Sequence, residues 1–268
     1  MKQYKLHFVA LACASLLTAC GGGSDNNGST DVATPTPKPT PVTSPWCNAA
    51  STSCDIPVDA NATTLTFSGV AATGLAVSQA SVTAHCASAD GAGFAEVISS
   101  TGMDGKYTVT LPEKVSLPCM VRVNGTASSP EMYALIETGQ PGDSVNVNPL
   151  TTLQVAVASG LNPAVYFQQF KGGNLGTTPG LKLAEAQQAL VDVFRSVVDL
   201  STVPNFVTSS LVAKIPASGS SAGQTGNAYD QLLDAAQAYL SQNGRTYAML
   251  QDDLLRYLAT TGATVAGS

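Results

Sequence analysis

The chain has 268 residues, a formal net charge of −6, and 44% apolar against 11% charged residues. That length allows one large folded body or two smaller ones. The acidic balance excludes the basic footprint of a nucleic-acid binder, and it excludes adhesion to anionic headgroups by charge alone.

Lys2 and Lys5 precede an apolar run from Leu6 to Ala19 that His7 interrupts. A basic start, a short apolar stretch and small residues at its end describe a secretory signal over residues 1–19. The run is shorter than the ~20 apolar residues a spanning helix needs. Leu17-Thr18-Ala19-Cys20, followed by Gly21-Gly22-Gly23, resembles the lipobox of bacterial lipoproteins. The resemblance implies cleavage before Cys20 and acylation of its sulfur. Gly21, standing where an inner-membrane lipoprotein commonly has aspartate, implies the outer membrane. Two or more acyl chains, at about 0.8 kcal/mol per buried methylene, hold a protein there stably.

Residues 20–46 form a tether. Gly21–Ser29 is flexible by composition, and Thr34-Pro35-Thr36-Pro37-Lys38-Pro39-Thr40-Pro41 favours extended polyproline II. Beyond the leader and Cys20, four cysteines remain: Cys47, Cys54, Cys86 and Cys119. An even number in an exported chain indicates two disulfides, with three connectivities open. Cys47–Cys54 with Cys86–Cys119 is the favoured pairing. The first two lie close together, and the second two lie in strand-like runs, Ala80–Cys86 and Pro118–Val123. The spacing lacks the CxxC knuckles of a zinc site.

Over residues 47–148 the pattern is β. Thr64-Leu65-Thr66-Phe67, Ala80–Ala84, Lys106–Leu111, Met120–Val123, Met132–Ile136 and Ser144–Val147 read as strands. Gly69, Gly74, Asp90-Gly91, Asp104-Gly105, Asn124-Gly125 and Pro141-Gly142-Asp143 punctuate them. Short strands with such turns predict a Greek-key-like β-sandwich. Three motifs, Gly74-Leu75-Ala76, Ala80-Ser81-Val82 and Thr101 with Asp104-Gly105-Lys106-Tyr107, together resemble the carboxypeptidase-regulatory-like family of prealbumin-like sandwiches. That resemblance implies a hairpin at Asp104-Gly105, a core ring at Tyr107, and an accessory, adhesive or spacing role.

After Asn148 the period lengthens to about 3.6. Asn148-Pro149 predicts a helix start, with Leu150, Leu153, Val157 and Ala158 on one stripe. Further helices are predicted over Pro163–Phe170, over Leu183–Leu200, around Tyr229–Leu240 and around Tyr247–Leu258, with Asn243-Gly244 between the last two. Residues 149–268 therefore predict an α-helical bundle, and the chain as a whole an α+β protein.

Catalytic groups are scarce. His85 is the only histidine beyond the leader, no GxSxG elbow accompanies it, and its position predicts a rim or surface residue. Asp252-Asp253 diverge by about 100° on a helix. Glu131, Glu137 and Asp143 read as solvated, and Asp90, Asp104 and Asp143 sit beside turn glycines. Trp46 reads as an anchor at the end of the tether, or as a sugar platform that Tyr107 or Tyr133 would extend if exposed. No catalytic residue, metal or cofactor is assigned. The expectation is a non-enzymatic, lipid-anchored module of the outer membrane that binds an envelope protein or glycan, presents it, or acts as a spacer. A carbohydrate- or peptidoglycan-binding module is the alternative, and a small hydrolase the third reading.

Overall fold

The computed structural model describes residues 66–88, 94–113, 115–126, 129–137, 143–171, 183–218 and 222–261. All lie within one compact unit, Val58–Ser268. Among them six strands precede five α-helices, an α+β arrangement with antiparallel sheets.

Alternation builds the strands. In β4 (Lys106–Thr110) Tyr107 and Val109 point inward and their neighbours outward, the period of two that a pleated backbone imposes. It pairs antiparallel with β1 (Thr66–Val70), Phe67 opposite Val109 and Gly69 opposite Tyr107. A Cβ at Gly69 would lie 1.8 Å from the Val145 carbonyl oxygen, because the 144–147 stretch runs parallel alongside β1. That stretch, predicted as a strand, forms only isolated bridges, Ser68 to Ser144 and Ala71 to Val147.

The second sheet holds β2 (Ser81–Ser88), β3 (Phe94–Ser100), β5 (Val115–Val123) and β6 (Met132–Ile136), in the order β3-β2-β5-β6. The sequence pattern did not disclose β3. As an outer strand it is half-buried at best, and Ile98, 67% exposed, stands on its open side. The Asp104-Gly105 turn also differs from expectation. Gly105 takes the positive φ of a tight turn, 75°, but it joins β3 to β4, which belong to different sheets, so it makes a crossover and no hairpin.

Both faces of the four-stranded sheet are covered. Val82, Ala84, Cys86, Val121, Val123 and Ala134 share an apolar cluster with Phe67, Tyr107 and Val109 of the smaller sheet. The alternate residues Met120, Tyr133 and Leu135 face helical side chains instead. Cys86 and Cys119 stand directly opposite across β2 and β5 and are bonded, their Cα atoms 4.1 Å apart. The ladder shifts just beyond, between Cys86 and Ala87, beside the cis Leu117–Pro118 bond, where Pro118 has no N–H to donate.

The first helix, α1 (Pro149–Ser159), starts where the pattern predicts. The Asn148 side chain accepts the Leu150 and Thr151 N–H groups at 2.9 and 3.0 Å, and Thr151 Oγ1 accepts the Asn148 N–H at 2.9 Å, closing a capping box. Thr151 also donates to the Tyr133 carbonyl at 2.8 Å, and Thr152 Oγ1 accepts the Tyr133 N–H at 2.9 Å, so the first turn is fastened to β6. Then come α2 (Pro163–Lys171), α3 (Leu183–Phe194), α4 (Ala228–Gln242) and α5 (Tyr247–Thr261). The third helix stops at Phe194 and not at Leu200. Asp199 caps a short 3-10 turn, Leu200–Thr202, through the Ser201 N–H, and such local bonding competes with helix propagation. Gly244, at a φ of 65°, parts α4 from α5.

The helices share their cores with the strands. Val70 and Ala72 join Leu150, Leu153, Leu190, Phe194 and Leu233 in one cluster, and α1 with α2 covers the outer face of the larger sheet.

Candidate functional site: a polar cluster under the second helix

Two rows of side chains cross that outer face. Register places Glu96, His85, Met120 and Leu135 in one row, and Ile98, Thr83, Arg122 and Tyr133 in the next. Polar groups therefore share this face with apolar ones, and each needs a partner once covered.

Phe167 of α2 organises them. The His85 ring stacks on it with centroids 3.9 Å apart and planes 20° apart. The Arg122 guanidinium carbon lies 4.7 Å from the same ring's centroid, a cation–π contact. Tyr133 tilts toward it at 5.7 Å. His85 Nε2 lies 2.8 Å from a Glu96 carboxylate oxygen, and Nδ1 lies 3.4 Å from the Phe167 carbonyl. Arg122 donates from Nη2 to Thr83 Oγ1 at 3.4 Å, while its Nε is buried without a hydrogen-bond partner. The Tyr133 hydroxyl donates to the Glu131 carboxylate. Burial, reinforced by that carboxylate, pushes the Tyr133 hydroxyl above the usual phenol range.

An imidazole–carboxylate pair is a proton-transfer unit when it meets a substrate. Here the imidazole is 1% exposed. Thr83, the hydroxyl in the neighbouring row, is itself buried and takes the Arg122 bond. Cys86 is bonded to Cys119 on the opposite face. The geometry serves to lock α2 onto the sheet. The rim or surface position expected of His85 is thus corrected: α2 lies over it.

Other residues singled out in the sequence are spread widely. Cys20, Trp46, Cys47, Cys54 and Asp90 lie outside the described residues. Tyr107 and Tyr133 are buried, at 3% and 4% exposure, so neither ring offers a sugar platform. Tyr107 donates instead to the Val145 carbonyl, and burial raises its hydroxyl pKa. Asp252 and Asp253 are both exposed, and Asp253 pairs with Arg245 and Arg256. Asp143 and Glu137 are half-buried rather than solvated, and Glu131, exposed, binds Tyr133. The side-chain bond to Lys106 holds the Asp104 carboxyl below its ordinary range. Among the described residues no three His, Cys, Asp or Glu side chains group as metal ligands, and no helix is long and apolar enough to cross a membrane.

Sequence reasoning missed the Phe167–Arg122 contact. The one available signal was Arg122 alternating with Val121 and Val123 in a strand, a cation that must be covered or leave the face. Comparison with known proteins returned nothing: no family model, curated protein or solved structure matches the chain.

Proposed function

We propose that this protein is a non-enzymatic envelope lipoprotein, anchored in the outer membrane by acylated Cys20. In this reading the proline-rich stretch holds a folded body away from the bilayer, where it binds, presents or spaces. The two sheets are taken as the halves of a prealbumin-like sandwich, consistent with the apolar cluster that they share. The observation that carries the anchor is Leu17-Thr18-Ala19-Cys20 followed by glycine. A supporting observation is the use of His85 and Arg122 as packing groups around Phe167, which leaves them turned inward. With Tyr107 and Tyr133 buried, the glycan-binding alternative has to rely on other rings.

Labelled palmitate fed to expressing cells tests the anchor. Incorporation in the native chain, lost on Cys20→Ser and kept on Cys13→Ser, is the expected result. Label that survives Cys20→Ser, or native protein that stays wholly in buffer during detergent phase separation, would overturn it. Cross-linking on intact cells, followed by identification of the captured molecule, then names the partner.

A further inference from the structure

The first turn of α4 carries a carboxylate with half its hydrogen bonding missing. Asp230 is 1% exposed. Its Oδ2 accepts the Lys214 backbone N–H at 3.1 Å, while its Oδ1 is buried without a hydrogen-bond partner. Gly226 makes room for this seat, since a Cβ there would lie 1.9 Å from Oδ2. The residue that Asp230 grips is itself a bridge. The Lys214 carbonyl accepts the Ala76 N–H at 2.9 Å, so Lys214 joins the start of α4 to the connection between β1 and β2. Neighbouring main-chain bonds follow the same path: the Asn227 N–H to the Val212 carbonyl at 3.0 Å, and Ile215 with Gln224 in both directions at 2.9 and 2.8 Å.

The charged groups around Asp230 are few. Lys214, on the 211–215 segment, attracts it, and Asp234, one turn along α4, repels it. Tyr247 of α5 faces Asp234. The connection between β1 and β2, residues 71–80, contains no ionisable side chain. It instead brings Gly74 against Asp234, where a Cβ would lie 1.9 Å from Oδ1. Two carboxylates on successive turns thus press against this junction, one dry and one at the surface.

We propose that Asp230 is a proton-operated latch. Protonated, it locks the 211–215 segment between α4 and the β1–β2 connection; ionised, it loosens that junction. The ionised form leaves charge on a buried oxygen that no protein donor meets, beside a second carboxylate. Protonation removes both penalties, which outweigh the charge-assisted strength that the Lys214 bond and the Lys214 charge give the ionised form, and Oδ2 still accepts the Lys214 N–H. In agreement, burial, with Asp234 adding to it, pushes the Asp230 pKa up to about 6 from 3.8. A folded-state pKa above the unfolded one means that the proton stabilises the fold. The contribution is complete at pH below 3.8 and disappears as pH climbs through about 6.

Thermal unfolding of the full chain and of Asp230→Asn, compared between about pH 7.5 and pH 5, tests the latch. The variant keeps an oxygen for Lys214 and carries no charge. The native Tm should gain on the variant's by roughly 5 °C as pH falls, and exchange of the Lys214 amide, corrected for its intrinsic rate, should slow. Asp234→Asn should move the native midpoint to lower pH. A pH-independent gap between the two proteins would overturn the proposal. If Asp230→Asn fails to fold, the carboxyl-carbon NMR titration of native Asp230 decides: a midpoint near 6 supports the latch, and one near the ordinary value of about 4 overturns it. A Tm rise on adding calcium chloride at neutral pH, abolished by Asp230→Asn, would also overturn it in favour of a bound cation.

Discussion

Tyr107 has its ring in the apolar cluster between the sheets and its hydroxyl on the Val145 carbonyl. Removing the hydroxyl leaves that carbonyl dry and unpaired, a loss of about 1–3 kcal/mol. Tyr107→Phe should therefore lower the unfolding free energy by that amount, read as a lower urea midpoint at an unchanged denaturant slope. Gly69 is constrained by the same oxygen, because a methyl group cannot stand 1.8 Å from it. Gly69→Ala should cost ~3 kcal/mol as the 144–147 stretch is pushed off β1, with faster amide exchange at Val145 and Val147, whose N–H groups bond to Ser68 and Val70. Both residues stood out in the sequence, one as a core ring and the other as a turn. The core ring is buried as the resemblance implied. Gly69 is within a strand, since nothing local announces that another backbone will pass beside it.

At the scale of elements, α2 is seated by three buried rings, Tyr166, Phe167 and Phe170, of which Phe167 meets the polar groups of the sheet. Phe167→Ala would vacate the space between His85, Arg122 and Tyr133, and should cost about 3–5 kcal/mol. Exchange protection should fall first in α2, measured against β2 and β5 as internal references. Strands with clean alternation, such as β4, and helices with a cap or a glycine stop, such as α1 and α4, were legible because their signals are local. The edge strand β3 was not, for its pairing comes from β2 and its own sequence alternates poorly. The early end of α3 was hidden for a related reason: an apolar stripe continued to Val198 while Asp199 diverted the backbone. The clustering under α2 depends on residues 82 positions apart, such as His85 and Phe167, and no spacing rule reaches that far.

For the whole molecule, strands and helices stand or fall together. The cluster between the sheets comes from the strand half but for Val207, while the other two draw on both sides of Asn148 and pack strands against helices. A single unfolding transition, with near- and far-ultraviolet dichroism superimposing, is the expected outcome; two resolved steps parting at Asn148 would contradict it. Replacing Cys86 and Cys119 together by valine frees a loop spanned by 33 positions. That change should lower global stability by about 3–4 kcal/mol on the chain-entropy account, read as a shift of the same single transition.

The sulfur bond has a further effect on how the sheet is assembled. In β2 Ser81, Thr83 and His85 alternate with Val82, Ala84 and Cys86, and in β5 Arg122 stands between Val121 and Val123, so sliding one strand by a single position would bury Arg122 or His85 among valines and expose the valines to the helices. Such a misaligned sheet would be compact, sticky and difficult to escape. Once Cys86 and Cys119 are joined, that alternative is covalently closed, and newly made chains have only one alignment in which to await the arrival of Phe167.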